Sequence, residues 1–253
     1  MQVAGATVII TGAASGFGKA LAQRLFKKGA NLLLTDISPV QFEPGDMISA
    51  GSNRFVSVRA NVCNADEMRH AFQRALSEFG RIDIVVNNAG IAETLPFTKP
   101  DEASRWKQVI DVDLSAVVLG TKLALMHLLD RQQPGIIINV ASLAGLYPQF
   151  FQPVYAAAKG GVVHFTRSLA PYNDEGIRVV ALCPSFSPTP LLSQVGPDGR
   201  ESQLKPEGLV PIELVIDAFI VIIENDKVKG GSCVRVTPQF GIDLYGIKGR
   251  SKL

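Results

Sequence analysis

Short runs of apolar residues alternate with longer amphipathic stretches along the whole chain. Runs rich in β-branched residues predict seven strands, at residues 6–10, 31–35, 54–60, 82–87, 135–140, 177–182 and 232–237. The stretches between them have helical spacing and predict helices at residues 16–28, 65–79, 105–129, 154–169 and 211–224. Runs such as TVII, NLLLT and GIIINV are apolar at nearly every position, which is typical of parallel strands covered on both faces.

This alternation predicts an α/β fold. We expect a single Rossmann-type doubly wound domain over residues 1–253, with a seven-stranded parallel sheet and helices on both faces. Residues 1–95 are expected mainly to bind a cofactor and residues 105–182 to carry the catalytic groups. Pro and Gly are frequent in residues 37–53 and 185–211, so both segments are predicted to be irregular. We expect the second of them to be a substrate lid.

Charge and composition narrow the possible functions. The formal net charge is +2 and the basic residues are scattered, so nucleic-acid binding is not expected. Because no apolar run approaches about 20 residues, we expect no transmembrane segment. The three cysteines lie far apart without the spacing of metal ligands, so we expect no metal site.

A glycine-rich turn follows the first predicted strand. Gly12, Gly16 and Gly18 have the spacing Gly-x3-Gly-x-Gly. Such glycines permit a tight turn, close approach of a pyrophosphate, and close packing of helix on strand. We therefore predict a dinucleotide at this helix N-terminus, in contact also with Ser15 and Phe17. The alternative is that these residues form a turn with no ligand.

The second predicted strand is followed by Asp36. A carboxylate at this place can accept both ribose hydroxyls of NAD, and it repels the 2′-phosphate of NADP. No Arg or Lys occurs among the next fifteen residues. The sequence therefore predicts NAD as the cofactor, the alternative being that Asp36 only stabilises an Asx-turn.

Tyr155 and Lys159 lie four residues apart and so share one face of a predicted helix. A nearby ammonium stabilises a phenolate and lowers the tyrosine pKa from its usual value near 10. The pair can then act as the general base in alcohol oxidation, or as the general acid in ketone reduction. Ser142 follows a buried strand, and its hydroxyl could hold the substrate oxygen.

In the order and spacing of these features the chain resembles the short-chain dehydrogenase/reductase family. The glycine turn, Asp36, the segment NNAG at residues 87–90, Ser142 and the YxxxK pair all match, and the match covers nearly the whole chain. Within the family, the segments GIIINVASLAG, QPVYAAAKGGVVHFTRS and IVIIENDKVKG are most similar to a subgroup that oxidises a prostaglandin hydroxyl.

The resemblance implies a catalytic site of Ser142, Tyr155 and Lys159, a nicotinamide cofactor, and a homodimer or homotetramer built on the two long central helices. It implies that Lys159 bonds the nicotinamide ribose and Thr189 the carboxamide. Gln152, with Ser142 and Tyr155, is expected to face the substrate. Besides the glycine turn and Asp36, the residues that it assigns to the cofactor are Ile37, Asn61, Val62, Asn88, Ala89, Gly90, Tyr155, Lys159, Pro184 and Thr189.

The chain departs from the family pattern at several positions. Asp113 stands where the family usually has the Asn that completes its proton relay, and we expect it one relay step from Lys159. Its carboxyl is either ionised beside the ammonium, or protonated and able to donate a hydrogen bond as Asn would. Asn61-Val62 replaces the usual Asp-Val, and Pro184-Ser185 replaces Pro-Gly. The lid at residues 185–211 is also shorter than that of the prostaglandin-oxidising subgroup.

The sequence ends with Ser251, Lys252 and Leu253, which matches a peroxisomal targeting signal read by an import receptor, the alternative being an ordinary basic tail. We therefore expect a peroxisomal protein with that receptor as a partner, and otherwise a cytoplasmic one. A peroxisomal location favours a small lipidic alcohol as substrate. Two alternatives are open: a peroxisomal carbonyl or enoyl reductase, and a dinucleotide-binding protein without catalysis.

Overall fold

A computed structural model describes residues 1–48, 51–101, 103–195 and 208–246. Eight strands form one sheet in the order β3-β2-β1-β4-β5-β6-β7-β8. The strands are β1 Thr7–Thr11, β2 Asn31–Asp36, β3 Phe55–Arg59, β4 Ile84–Asn87, β5 Gly135–Val140, β6 Ile177–Pro184, β7 Cys233–Thr237 and β8 Gly241–Leu244. The seven predicted parallel strands are confirmed, but the predicted strand count is wrong by one, because β8 adds an antiparallel edge beside β7.

Helices cover both faces of the sheet. They are α1 Gly16–Lys27, α2 Ala65–Phe79, α3 Arg105–Ile110, α4 Ala116–Asp130, α5 Pro153–Ser168, α6 Pro190–Gln194 and α7 Ile212–Glu224. Val8 and Ile10 of β1 pack towards α1 and α7, whereas Ile9 faces the layer of α2 and α4, and none of the three is exposed. Burial on both faces explains why the strands are apolar at consecutive positions, and it confirms the doubly wound α/β fold.

The helix predicted at residues 105–129 is interrupted. A π-helical turn at Asp111–Ser115 separates α3 from α4 and carries Asp113. Neither Pro nor Gly marks this turn in the sequence, so residue pattern alone predicts a continuous helix. Such turns often occur at functional sites, since the extra residue redirects the side chains around it.

The order of the strands reverses between β1 and β4, because β2 and β3 extend to one side of β1 and the later strands to the other. The carboxyl ends of β1 and β4 therefore flank a crevice, which is where doubly wound sheets bind their ligands. The described part of the segment at residues 37–53 contains turns and no helix, as predicted. No helix in the part of the chain that the structure describes is long and apolar enough to cross a membrane.

Candidate active site

One cavity of about 530 Å³ lies at the carboxyl edge of the sheet. It brings together nearly all the residues that the sequence predicted for the site. Those lining it are Gly12, Ser15, Gly16, Phe17, Asp36, Ile37, Asn61, Val62, Asn88, Ala89, Gly90, Ser142, Gln152, Tyr155, Lys159, Pro184 and Thr189. The two other predicted residues, Gly18 and Asp113, lie behind this wall and act on residues that form it.

The glycine turn after β1 has the close contacts that require glycine. Gly12 and Gly16 have φ angles of 67° and 52°, in the left-handed region that glycine adopts readily. A Cβ on Gly18 would lie 2.1 Å from the Gly12 carbonyl oxygen. Asn88 fixes the turn against the end of β4, because its amide nitrogen donates to the Thr11 and Gly12 carbonyls at 2.9 and 3.1 Å.

The cavity wall presents polar groups that fit a nicotinamide dinucleotide. Ser15, the residue before α1, makes no capping bond with its side chain, so the first N–H groups of α1 can receive a pyrophosphate. Ser187 also lines the cavity, and its buried hydroxyl has no hydrogen-bond partner among the residues that the structure describes. A buried hydroxyl without a partner is costly, and a carboxamide bound near Thr189 would supply one.

Asp36 both stabilises its turn and faces the cavity. Its carboxylate accepts the N–H groups of Ala14 at 3.0 Å and Ser38 at 2.9 Å, and the second bond is the Asx-turn that the sequence left open. Each oxygen keeps a lone pair that a ribose hydroxyl can use. Arg59 pairs directly opposite Asp36 on β3 and donates to the Ile37 carbonyl at 2.9 Å. Arg59 was not predicted as a nearby cation, because it is distant from Asp36 along the chain and lies opposite it only when β2 and β3 pair.

The three predicted catalytic side chains converge in the cavity. Tyr155 and Lys159 lie one turn apart on α5, with the ammonium 5.6 Å from the centre of the phenol ring. The Ser142 hydroxyl lies close enough to the Tyr155 phenol to lower the pKa of Tyr155. Ser142 is itself held by the Ala144 N–H, which donates to its hydroxyl oxygen at 3.1 Å. A substrate hydroxyl placed between Ser142 and Tyr155 would contact both groups.

The structure places Asp113 in direct contact with Lys159. The two side chains form an ion pair at 3.0 Å, and both are almost fully buried, with 0% and 3% of their surface exposed. Lys159 also donates to the Val140 carbonyl at 3.0 Å, while the second oxygen of Asp113 accepts the Ile91 N–H at 3.2 Å. A carboxylate fits here because its attraction to the Lys159 ammonium offsets part of the free energy that its burial costs.

The three groups Asp113, Lys159 and Tyr155 shift one another's pKa values. Burial raises the pKa of Asp113, although the Lys159 ammonium opposes the shift. Desolvation lowers the pKa of Lys159, but the charges of Asp113 and Tyr155 outweigh it and the pKa is raised. Burial also raises the pKa of Tyr155; Lys159 lowers it, and Asp113 raises it again. Asp113 therefore weakens the support that Lys159 gives to the phenolate.

Replacing Asp113 with Asn should lower the pKa of Tyr155. The rise of kcat/KM with pH in alcohol oxidation reports this base, and its midpoint should move to lower pH by about half a unit to one unit. Asp111→Asn is the matched control: it removes the same charge from the same π-helical turn, and Asp111 is not among the groups that shift the pKa of Tyr155 or Lys159. A midpoint that moves upward in Asp113→Asn would contradict this reading of the charges.

The side of the cavity that is predicted to face the substrate is bounded by apolar side chains and by the described part of the predicted lid. Gln152 is 3% exposed and lines the cavity beside Tyr155. In the described part of the predicted lid, α6 closes one wall, and Arg105 connects it to the end of β4 through Gln194 and the Ala92 carbonyl. The apolar residues on this side include Leu143, Phe186, Leu191, Leu192 and Val195.

The sequence analysis also missed Glu93. This residue follows β4, and its buried carboxylate contacts the first turn of α5 at Val154 and Tyr155. Nothing in the local sequence signals this contact, because the two segments are distant along the chain and meet only when the sheet forms.

The chain is similar to several dehydrogenases of known activity. It is 32% identical to the human 15-hydroxyprostaglandin dehydrogenase [NAD(+)], a match that covers 96% of this chain and 94% of the relative. It is 36% identical to a 3beta-hydroxysteroid dehydrogenase 2 of Eggerthella lenta, over 74% of this chain and 73% of the relative. These similarities confirm the resemblance to the prostaglandin-oxidising subgroup.

A solved structure and a family model agree with these relatives. The structure of 3-ketoacyl-(acyl-carrier-protein) reductase from Brucella melitensis, complexed with NADH, superposes with a TM-score of 0.81. It is 30% identical in sequence, and the match covers 93% of this chain and 98% of that one. The model of the short chain dehydrogenase family matches residues 6–199. This chain therefore belongs to the short-chain dehydrogenase family, whose members are oxidoreductases acting on CH–OH groups.

Proposed function

We propose that this protein is an NAD-dependent dehydrogenase that oxidises a secondary alcohol of a lipidic substrate to its ketone. The observation that carries the proposal is the convergence of Ser142, Tyr155 and Lys159 on the cavity that also contains the glycine turn. A dinucleotide-binding protein without catalysis would have no need of a phenol held between a hydroxyl and a buried ammonium.

The side chains divide the reaction between them. Ser142 donates a hydrogen bond to the substrate oxygen, and the Tyr155 phenolate takes the proton of the substrate hydroxyl. As the O–H bond breaks, the C=O bond forms and a hydride leaves the carbinol carbon. A bound nicotinamide supplies the acceptor for that hydride. Lys159 stabilises the phenolate before the transfer, and the same groups work in reverse when Tyr155 protonates a ketone.

The lipidic substrate is supported by the lining of the cavity and by the relatives. Large apolar side chains surround the substrate side, and burying them against a hydrocarbon is favourable by roughly 25 cal/mol per Å² of apolar surface. The names of the two relatives above describe the dehydrogenation of a hydroxyprostaglandin and of a hydroxysteroid, and both of these substrates are lipids that carry a secondary alcohol.

Turnover with a panel of alcohols tests the proposal. The purified chain is mixed with NAD and a long-chain hydroxy fatty acid, a hydroxysteroid or a short secondary alcohol, and NADH is followed by its absorbance. We expect the two large substrates to be oxidised with the higher kcat/KM. Tight binding of NAD without turnover of any alcohol or ketone would instead identify a non-catalytic dinucleotide-binding protein. Faster reduction of the matching ketones at neutral pH would favour the carbonyl reductase.

We also propose that the protein is imported into peroxisomes through Ser251, Lys252 and Leu253, which lie outside the described residues. A chain with a fluorescent protein fused to its N-terminus should give punctate organelle fluorescence, because the tail remains free for the import receptor. Deleting Leu253 should make the signal diffuse, and Arg250→Ala should leave it punctate. Diffuse fluorescence with the intact tail would contradict the targeting proposal and weaken the argument for a lipidic substrate.

The proposed assembly is a homodimer or homotetramer through the layer of α4 and α5. Met126 and Leu129 on α4 are 58% and 38% exposed, and apolar side chains at such positions are stabilised by a partner surface. Sedimentation of the purified chain measures the assembled mass, and a monomer at micromolar concentration would contradict this proposal.

A further inference from the structure

Glu93 connects the end of β4 to the helix that carries Tyr155. Its side chain is 5% exposed, and one carboxylate oxygen accepts the N–H groups of both Val154 and Tyr155, at 3.0 and 3.1 Å. The contact joins segments that are far apart in sequence. Because one of the two N–H groups belongs to Tyr155 itself, Glu93 holds the backbone of the proposed base directly.

The first turn of α5 needs this carboxylate. Helices leave their first N–H groups without intrahelical partners, and Gln152, the residue before α5, makes no capping bond with its side chain. Pro153 has no N–H, and the Ala156 N–H already bonds the Gln152 carbonyl at 2.9 Å. The groups that remain are those of Val154 and Tyr155, and Glu93 accepts both.

The backbone of Glu93 also orients Gln152. The Glu93 carbonyl accepts a hydrogen bond from the Gln152 side-chain nitrogen at 3.0 Å. No hydrogen bond within the described residues engages the oxygen of that amide, which can therefore face the cavity that Gln152 lines. Reversing the amide would put two oxygen acceptors against each other. Glu93 thus contacts the residue proposed to face the substrate as well as the proposed base.

We propose that Glu93 is a positioning residue, whose carboxylate fixes Tyr155, and whose carbonyl fixes Gln152, relative to the cofactor-binding end of β4. The proposal rests on the proposed function, because it assigns Glu93 to the geometry of that reaction. A general base is effective only within hydrogen-bond distance of the substrate group whose proton it takes. A misplacement of about 1 Å can lower the rate on the order of a hundredfold.

Stability alone does not explain a charged group at this place. Burial raises the pKa of Glu93, and the bonds from Tyr155 and Val154 offset the shift only in part. A carboxyl whose folded pKa is raised favours folding below its unfolded pKa, and that contribution is lost as the pH rises through the folded pKa. The buried carboxyl therefore contributes less to folding as the pH rises. A neutral acceptor of the same length, as in Glu93→Gln, should not lower the melting temperature.

Three substitutions of Glu93 distinguish the effect of its side-chain length, which lets it reach both N–H groups, from the effect of its charge. Glu93→Ala removes the acceptor, Glu93→Asp keeps the charge but is one methylene too short to reach both N–H groups, and Glu93→Gln keeps the reach without the charge. We expect kcat for the best alcohol to fall roughly tenfold to a hundredfold in the Ala and Asp variants. In Glu93→Gln, kcat should stay within about threefold of the wild-type value. The Kd of NAD should change by less than about twofold in all three variants, because the glycine turn is untouched.

Asp83→Asn is the matched control. Asp83 is a buried carboxylate just before β4, at the opposite end of that strand, where it accepts the Thr7 N–H at 2.8 Å. Its substitution should lower the melting temperature and leave kcat unchanged. If Glu93 has only the same structural role, Glu93→Ala will behave like Asp83→Asn, and the proposal is overturned. The proposal would also be overturned if Glu93→Asp kept the wild-type kcat while Glu93→Gln had a low kcat. The charge of residue 93 would then be needed for activity, and the length of its side chain would not.

Hydrogen exchange of the Val154 and Tyr155 amides gives a readout that does not depend on turnover. Both amides should exchange faster in Glu93→Ala and Glu93→Asp, and at the wild-type rate in Glu93→Gln. Unchanged protection in Glu93→Ala would overturn the proposal. A wild-type chain that turns over no alcohol would refute the proposed function, and the exchange rates would still decide whether Glu93 holds the first turn of α5.

Discussion

Tyr155→Phe is expected to lower kcat for alcohol oxidation by about a thousandfold, within the range measured for general acid–base groups. The substitution removes the one hydroxyl that can take the substrate proton and leaves the ring in place. Lys159 and Ser142 would keep their other contacts, so binding of NAD should persist. The measurement is steady-state kcat with the best alcohol, together with the Kd of NAD from fluorescence titration.

Tyr172→Phe is the matched control, because it removes a phenol hydroxyl from a tyrosine outside the cavity. It should retain full kcat. If Tyr155→Phe keeps a tenth of the wild-type activity, another residue is the base, and the assignment of roles around Ser142 and Lys159 fails with it.

The second large effect concerns the choice of cofactor. NAD should be preferred over NADP by at least about a hundredfold in kcat/KM, which corresponds to roughly 2.7 kcal/mol. The reason is that the Asp36 carboxylate accepts ribose hydroxyls and repels a 2′-phosphate. Arg59, directly opposite Asp36, is the cation that could bind this phosphate if the carboxylate were absent.

Asp36→Asn keeps an acceptor for the turn and removes the charge, so it should narrow the preference by raising kcat/KM for NADP. Adding Arg59→Ala to this variant should cancel most of that gain, and Arg59→Ala alone should leave the use of NAD nearly unchanged. Equal use of NAD and NADP by the wild-type protein would contradict the role given to Asp36.

The sheet was predictable from sequence because its strands are buried on both faces. Consecutive apolar, mostly β-branched residues such as those of β1 and β5 are typical of strands covered on both faces. β8 was missed because it is four residues long, contains Asp243 and lies at the edge of the sheet. Its residues have no continuous apolar pattern, and only pairing with β7 makes them a strand.

The site was predictable to the extent that its residues follow strands or share a helix turn. The glycine turn, Asp36, Ser142 and the pair on α5 all meet these conditions, and the structure brings them to one cavity. Contacts between distant segments were not predictable. The direct ion pair of Asp113 with Lys159 depends on a π-helical turn, and this turn contains no Pro or Gly from which it could be predicted.

Arg59 and Glu93 show the same limit. Arg59 lies opposite Asp36 through the register of β2 and β3, and Glu93 reaches α5 through the packing of β4 against the rest of the sheet. Neither belongs to a recognisable motif in its own segment. The contacts of both residues exist only in the folded chain, and both lead to experiments that the sequence alone did not suggest.

Transfer of a label from the alcohol carbon is the most direct test that this protein moves a hydride from a secondary alcohol to NAD. A secondary alcohol that carries deuterium on its carbinol carbon is incubated with NAD and the wild-type protein, and the NADH formed is analysed by mass spectrometry. The account predicts one deuterium per NADH, no label in the product of the unlabelled alcohol, and almost no NADH with Tyr155→Phe. NADH that forms without deuterium, or a protein that binds NAD and forms none with any secondary alcohol, would contradict it.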